Sequence, residues 1–493
     1  MNQTLLDDYT ALNSSHWMYM RNRDRWEFLY NSYVGGEPYR QGGYLIKYSL
    51  ETDGEYRARL DNTPLDNQCA SVISTYVSFL FRQHPDRDFA TWEGRSDLED
   101  FLNDCDMEGR SFDNFIKQVS IWASVFGHSF IIMSKPNLGL VSAQQEQELG
   151  IRPYVNLLTP LVVSDWRWRR SLNGRYELEY FKYVEEVADK ITVVKEWTLD
   201  TVKTWEMDDA KKEARMISEE PNQLGIIPVV IVYNQRSVVK DLGVSDITDI
   251  ADLQRQIYCL LSEQEQSIRL DGHPTLVTPQ NAQVGSGAGA VIQLEIGSDA
   301  GLNPYYLSPG GDTITSIHNS IDKLSEAIDR ISFTGGVRAT RTQTQSGVSL
   351  EVEFSLLNGK LAEKGDLLEL SEEQLWRLFA LYQGLTWEGE IKYPDSFNIR
   401  DEQREMQQLA TAKSAATDAR VLQVIDHEII ELLGEDADLI MPEYVALNAE
   451  TFPPEPLFEA HTMYNPVTGQ EVIARTEAEH IAYMEQGYIH EEG

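Results

Sequence analysis

Cysteine is scarce in this chain: Cys69, Cys105 and Cys259 are the three among 493 residues. Odd in number and far apart, they offer no disulfide framework and no Cys-x-x-Cys pair for zinc, so a reducing compartment is expected. Long apolar runs are lacking too. No stretch nears the ~18 uncharged apolar residues of a membrane-spanning helix. Met1 to Asp8 lacks the basic and apolar regions of a secretory signal, so synthesis and retention in cytoplasm is the expectation. Catalytic signatures are equally wanting. There is no His-Glu-x-x-His, no Gly-x-Ser-x-Gly and no paired metal-ligand spacing, and the nine histidines are scattered. Asp104 to Gly109 opens like a calcium loop, but its twelfth position falls on Phe115, where a bidentate Glu is needed. It reads as an acidic turn before a helix. The run Gly285 to Ala290 precedes a strand pattern and lacks a Gly-Lys-Ser/Thr ending, which makes it a hairpin loop and not a phosphate cradle.

Positive charge is in short supply as well. Forty-two Lys and Arg face 79 Asp and Glu, a formal charge of −37. A protein that grips nucleic acid along a broad face needs a cationic surplus, because phosphate contacts dominate that affinity. This chain cannot grip broadly, although a polyanion could slide past it. What remains, 42% hydrophobic and 25% charged residues, suits an ordinary globular protein long enough for several cores.

The first 240 or so residues read as an α+β body. Asn13-Ser14-Ser15 is placed to cap a helix toward Tyr33 that stops at Gly35-Gly36. A second helix is expected from Leu65 to Phe81. A third, capped by Ser111, turns Phe115, Val119, Trp122 and Phe126 inward. Gly127-His128 then leads into a strand, Phe130 to Met133, with His128 satisfying a local backbone group. Period-two patterns at Tyr176–Tyr180, Ile191–Val193 and Val202–Trp205 predict antiparallel strands, and Ile227–Tyr233 a more buried one.

Two long helical patterns follow. The first, Asp246 to Arg269, sets Ile247, Ile250, Leu253, Ile257 and Leu260 on one face and breaks at His273-Pro274. A small β module occupies Pro274 to Gly311, with strands at Thr275–Val277, Val291–Ile296 and Tyr305–Leu307. The second helix, Thr313 to Ile331, spaces Ile314, Ile317, Ile321, Leu324, Ile328 and Ile331 by three and four, the seam of a helix that packs lengthwise. That packing is either between subunits or inside one core. The loop Thr334 to Gly347 suits neither helix nor core and carries Arg338 and Arg341. Beyond it Leu350, Phe354, Leu357 and Leu361 begin a helix running to about Gln383, where Gly359 and Gly365 predict a bend. From Asp401 onward 20 Asp or Glu face four Lys or Arg. There, helix is expected from Gln403 to Leu433 and from Arg475 to Gln486, with a break at Thr451–Pro454 and a turn at Tyr464–Gly469.

Local signatures accompany this order: Gly127-His128 before an apolar strand; Arg152-Pro153-Tyr154 leading to Leu158-Thr159-Pro160 and Val163-Ser164-Asp165-Trp166; Gly225-Ile226-Ile227-Pro228; and Gly243-Val244-Ser245-Asp246-Ile247. Over roughly residues 40–400 the chain resembles the portal proteins of tailed double-stranded DNA bacteriophages. The resemblance implies an α+β, mainly helical fold. A wing would span 1–245 and 348–400, stem helices 246–270 and 313–333, a small β-containing clip 271–312, a tunnel loop 334–347 leading into a kinked helix, and a helical crown 401–493. It also implies a homo-oligomeric ring, typically of twelve subunits, at one capsid vertex of the virion, assembled in host cytoplasm. Double-stranded viral DNA would enter and leave through the ring. The major capsid protein, the terminase large subunit and then the head–tail adaptor would be partners, with no membrane and no cofactor. Enzymatic activity is not implied, because ATP hydrolysis belongs to the terminase. A neck or minor capsid component without a channel is the alternative.

On that resemblance Arg338, Thr340, Arg341 and Gln343 would face DNA, the other reading being a solvated loop with incidental charge. Lys323 and Arg330 are second channel candidates, or else partners of Asp322, Glu326 and Asp329.

Overall fold

The structure, a computed structural model of the chain, describes residues 3–136, 145, 149–188, 191–272, 275–277, 305–307, 311–338, 347–394, 397, 402–432, 440–442, 444–445, 461–466, 468–474 and 477–490. The chain is α+β and divides into two units, Met1–Asn398 and Ile399–Gly493. No helix among the described residues is long and apolar enough to cross a membrane.

The larger unit opens with α1 (Gln3–Leu12), α2 (Trp17–Val34), α3 (Gly36–Gln41), α4 (Asp53–Asn62), α5 (Gln68–Leu80), α6 (Ser96–Asn103) and α7 (Phe112–Phe126), with β1 (Asp86–Asp88) before α6. Side chains set several helix starts. His16, and not Asn13-Ser14-Ser15, caps α2: its Nδ1 accepts the Met18 amide at 3.3 Å while its ring lies 4.3 Å from that of Trp166. Tertiary packing selects this cap. Asn67 caps α5 by accepting the Ala70 amide at 2.9 Å, and Thr52 with Glu55 forms a capping box on α4. In α7, Phe115, Val119 and Phe126 are buried as expected, and Trp122 is half-buried. The helix ends at Gly127 with φ 92°. A Cβ there would stand 2.5 Å from the Gly243 carbonyl oxygen, so this crossing of two segments requires glycine.

The next strand, β2 (His128–Ser134), is the centre of an antiparallel sheet with β3 (Tyr154–Leu158) and β9 (Val229–Tyr233). Alternation sends Ile131 and Met133 into the helical core, and Phe130 and Ile132 into a second core. That second core is closed by Trp166, Phe181, Tyr183 and Trp197 of a five-stranded antiparallel meander. Its strands are β4 (Val163–Arg170), β5 (Tyr176–Ala188), β6 (Ile191–Thr198), β7 (Thr201–Asp208) and β8 (Glu213–Pro221). The period-two stretches mark its three inner strands, and the edge strands β4 and β8 complete it.

Then come α8 (Thr248–Gly272) and α9 (Gly311–Ser332). Between them β10 (Thr275–Val277) pairs antiparallel with β11 (Tyr305–Leu307). The expected strand Val291–Ile296 and the Gly285–Ala290 turn lie outside the described residues. After α10 (Gly335–Arg338), α11 (Gly347–Gln383) runs unbroken through Gly359 and Gly365. At Gly365 a Cβ would come 3.4 Å from that of Tyr393. The absent side chain thus lets the segment after α11 pack closely, which offsets the ~1 kcal/mol helix cost of glycine. That segment ends in β12 (Glu390–Lys392), paired with β1. Leu375, Trp376 and Phe379 of α11 sit wholly buried in the helical core.

The second unit holds α12 (Glu402–Ala415), α13 (Ala419–Leu432), β13 (His461–Tyr464), β14 (Glu471–Ala474), α14 (Glu477–Glu485) and β15 (Ile489–His490). The single helix expected from Gln403 is two, because Asp418 accepts the Arg420 amide at 2.9 Å and starts α13 afresh. The expectation of a helical tail is also corrected. Its strands form a three-stranded antiparallel sheet, order β14-β13-β15. Strands this short leave too little alternation to detect. The turn at Tyr464–Gly469 joins β13 to β14, with the Gly469 amide bonded to the Asn465 carbonyl at 2.8 Å. Thr451–Pro454 lies outside the described residues.

Candidate functional site

The two long helices α8 and α9 pack against each other, Gln264 and His318 meeting at 3.2 Å. With 25 and 22 residues, they measure about 37 and 33 Å at the usual rise. α8 starts at Thr248, two residues later than expected; the Asp246 amide is tied to the Ser124 carbonyl at 3.0 Å and its carboxylate lies in a buried ion pair. Its inner half is locked. Ile250, Ile257 and Tyr258 are buried, and Gln254 accepts the Cys69 amide at 2.8 Å while donating to the Ser32 carbonyl at 3.0 Å. Arg59 donates to Ser262 Oγ at 3.0 Å and pairs with Glu51 at 2.8 Å, both charges almost wholly enclosed. Beyond Ser262 no described side chain of α8 is buried, and neither is any of α9 before Ile328. On the isoleucine seam, Ile328 is buried, Ile314, Ile317, Ile321 and Leu324 are half-buried, and Ile331 is 42% exposed.

At the end of α9 the chain turns sharply, with Phe333 at φ 56°. Thr334, expected to begin a loop unsuited to helix or core, is fully buried, and α10 follows at once. The reason is a set of hydroxyls. Ser332 Oγ donates to the Ile328 carbonyl at 2.8 Å and lies 2.6 Å from Thr334 Oγ1, while Tyr76 donates to the Ser332 carbonyl at 2.6 Å. Arg338 is therefore no free loop cation. Its guanidinium pairs with Asp329 at 3.0 Å, donates to Ser71 Oγ at 3.0 Å and bonds Gln68 Oε1. Asp329, a carboxylate considered for Arg330, is thereby engaged. Lys323 and Arg330 are exposed. Thr340, Arg341 and Gln343 lie outside the described residues.

Beneath this junction sits a group that the sequence reading missed. Lys360 and Lys364, one turn apart on α11, converge on Asp246; Lys360 stands 3.1 Å away, and Lys364 also bonds Asn234 and, at 3.2 Å, Ser124 Oγ. Burial by itself would raise the Asp246 carboxyl, but Lys364, Lys360 and the Asn234 amide outweigh it and bring it to about 2. Burial pulls Lys364 below its ordinary range against the attraction of Asp246. Lys360 also donates to Tyr76 at 3.1 Å, so hydrogen bonds run from Asp246 through Lys360 and Tyr76 to Ser332 and Thr334. A cleft of about 370 Å³ opens beside the pair, lined by Phe333, Gly359 and Glu363 among others. The available clue was two lysines four apart inside an otherwise apolar stripe; nothing local pointed to Asp246, more than a hundred residues earlier.

Two lesser expectations also resolve. His128 is buried and, where a local backbone group was expected, instead accepts the amide of Gly243, 115 residues on, on Nδ1 at 3.4 Å; burial pushes it down to about 3, hence neutral. In the acidic turn Asp104 accepts the Gly109 amide at 2.8 Å and pairs with Arg152 at 3.0 Å; Asp106 accepts the Glu108 amide at 3.0 Å. These carboxylates hold the turn and, through Asp104, tie it to Arg152. Among the described residues no cluster suited to a metal ion occurs.

The family model of phage portal proteins of the SPP1 Gp6-like type matches residues 90–406, well over half of the chain. The chain belongs to that phage portal protein family. The matched stretch takes in both long helices, the junction, α11 and the Lys–Asp group. Membership gives this portal protein a portal or connector role in a phage-type particle. Solved structures that the chain is similar to come from gene transfer agent (GTA) particles. A chain in the neck of an empty particle, computed with C6 symmetry, has TM-score 0.42 at 8% identity, covering 80% of this chain and 99% of that one. A chain of the native virion gives 0.41 at 8% over 81% and 98%, and one in the native neck with C12 symmetry gives 0.41 at 9% over 80% and 98%. No curated protein matches in sequence.

Proposed function

We propose that this portal protein forms a ring of identical subunits, typically twelve, around a channel at one capsid vertex, through which double-stranded viral DNA is packaged and later ejected. The family match across α8 and α9 carries this reading, and a physical observation supports it. The outer halves of those helices are regular yet unburied in a single chain, and the half-buried Ile314, Ile317, Ile321 and Leu324 offer a stripe for neighbours to cover. In this reading α8 and α9 are the stem, the β10–β11 region the clip, the segment after Arg338 the tunnel loop, and α11 the return into the wing. The clip docks the terminase large subunit and later the head–tail adaptor, and the outer rim meets the major capsid protein. The subunit is structural; hydrolysis of ATP stays with the motor.

An acidic chain suits transport, since a negative lining gives DNA nowhere to stick. The cationic contacts then concentrate at few points. Arg338 holds the root of the loop through Asp329, Ser71 and Gln68, which passes phosphate contact to Arg341 with Thr340 and Gln343, and secondarily to the exposed Lys323 and Arg330. Negative-stain imaging and mass measurement of the purified protein, over varied conditions, test the reading. A ring with a hole near the width of DNA is expected. Monomers, dimers or closed particles throughout overturn it in favour of a neck or minor capsid component. Arg341→Ala should leave rings intact and alter DNA packaging or retention.

A further inference from the structure

The five-stranded sheet has two edges of opposite character. Along β4 and its turn, from Trp166 to Tyr176, there are four arginines and no Asp or Glu, in a chain of charge −37. Arg170, Leu172 and Arg175 are exposed, Leu172 at 108% of its reference area. A neighbouring loop adds Arg236, Lys240 and Val238, the last at 105%, with Lys240 Nζ 3.5 Å from the centre of the Tyr176 ring. The result is an apolar tip rimmed by cations.

The far end of the opposite edge strand, β8, reads the other way beyond the exposed Arg215. From Met216 to Ile226 there are two glutamates and no Lys or Arg. Glu219 and Glu220 are exposed, Glu219 within 3.4 Å of Lys203, and so are the adjacent Met216 and Ile217. A bulge opposite Thr204–Trp205 leaves Ile217 out of register. Exposed apolar residues on an open edge strand invite pairing, and proteins ordinarily blunt them. The antiparallel order sets the β4–β5 turn and the end of β8 at the same end of the sheet, on opposite sides.

We propose that the cationic β4 edge of one copy docks on the acidic β8 edge of the next. The contact is head-to-tail, the kind that closes rings when its rotation permits. Opposite charge steers and aligns the edges, while Leu172 and Val238 meet Met216 and Ile217 as apolar centre. The exposed apolar residues favour a protein occupant over nucleic acid, because phosphate contact has no use for them. This contact rests on the ring reading above.

The test uses the full chain in two charge-reversed forms: Arg170→Glu with Arg175→Glu, Arg236→Glu and Lys240→Glu, which leaves that edge net acidic, and Glu219→Lys with Glu220→Lys. Each alone has two edges of like sign and should lower the ring fraction about tenfold or more by native mass measurement. Mixed one to one, they should form alternating rings again. Neutral forms, Arg170→Gln with Arg175→Gln, should weaken assembly and flatten its salt dependence, and they cover the case of a reversal that fails to fold. If wild type forms rings while the variants assemble equally well, or the mixture gains nothing, the contact is wrong and the ring reading stands. Reduced binding of a double-stranded DNA probe with unchanged assembly would likewise overturn it, assigning the patch to nucleic acid. Wild type that never forms rings sinks both.

Discussion

The inner and outer halves of the α8–α9 pair share one helical geometry but not one source of order. Inside, Gln254, Ser262, Ile328, Ser332 and Thr334 are enclosed, and each polar group among them has a partner. Outside, the described side chains are half-buried or exposed. Both halves are helical, so the difference lies in what covers them. Most helical stability in proteins comes from packing an amphipathic face. The inner half therefore belongs to the fold of one protomer, and the outer half is left uncovered by it.

Breaking the inner half should cost most. Asp246→Ala leaves Lys360 and Lys364 converging on an enclosed space with no counter-charge, and a loss of about 3–5 kcal/mol in chemical unfolding is expected. Ile328→Ala comes next, at about 2–4 kcal/mol, because a fully enclosed side chain leaves a cavity. Its outer counterpart Ile317→Ala should cost a protomer under about 1 kcal/mol and yet lower ring yield; equal losses for both would abolish the distinction. Acid should act on the inner half as well. The depressed carboxyl of Asp246 contributes stability above its ordinary pKa that is lost as pH falls from about 4 through about 2, a loss of about 2 kcal/mol that Asp246→Asn should remove from unfolding curves. The smallest effect is expected for Lys323→Ala with Arg330→Ala, within about 0.5 kcal/mol in thermal unfolding, since both side chains are exposed.

Much of the body is legible in the sequence. The apolar positions of α7, the start of β2 after Gly127, the strands β5 to β7 and both long helices follow from spacing that one face of each element obeys. The site was legible only in part. Thr334 and Arg338 read as loop because Gly335-Gly336 and a polar run signal a break; their order comes from Tyr76, Ser71, Gln68 and Asp329, which no local pattern connects to them. The short strands of the second unit escaped for another reason, having too few residues to show a period.

By itself the sequence determined which stretches are helix or strand and which face of each is apolar, because a period of 3.6 or 2 is a local property of the chain. It also settled the acidic balance and, through motif order, the family. Only the tertiary structure decided that His16 caps α2, that α8 begins after Asp246 and that Arg338 is spoken for. Those outcomes depend on side chains from distant stretches meeting as the fold closes, Trp166 against His16, Lys364 against Asp246, and Ser71 and Gln68 against Arg338; where such groups are buried, an unpaired polar group is costly and a partner, once present, dictates position.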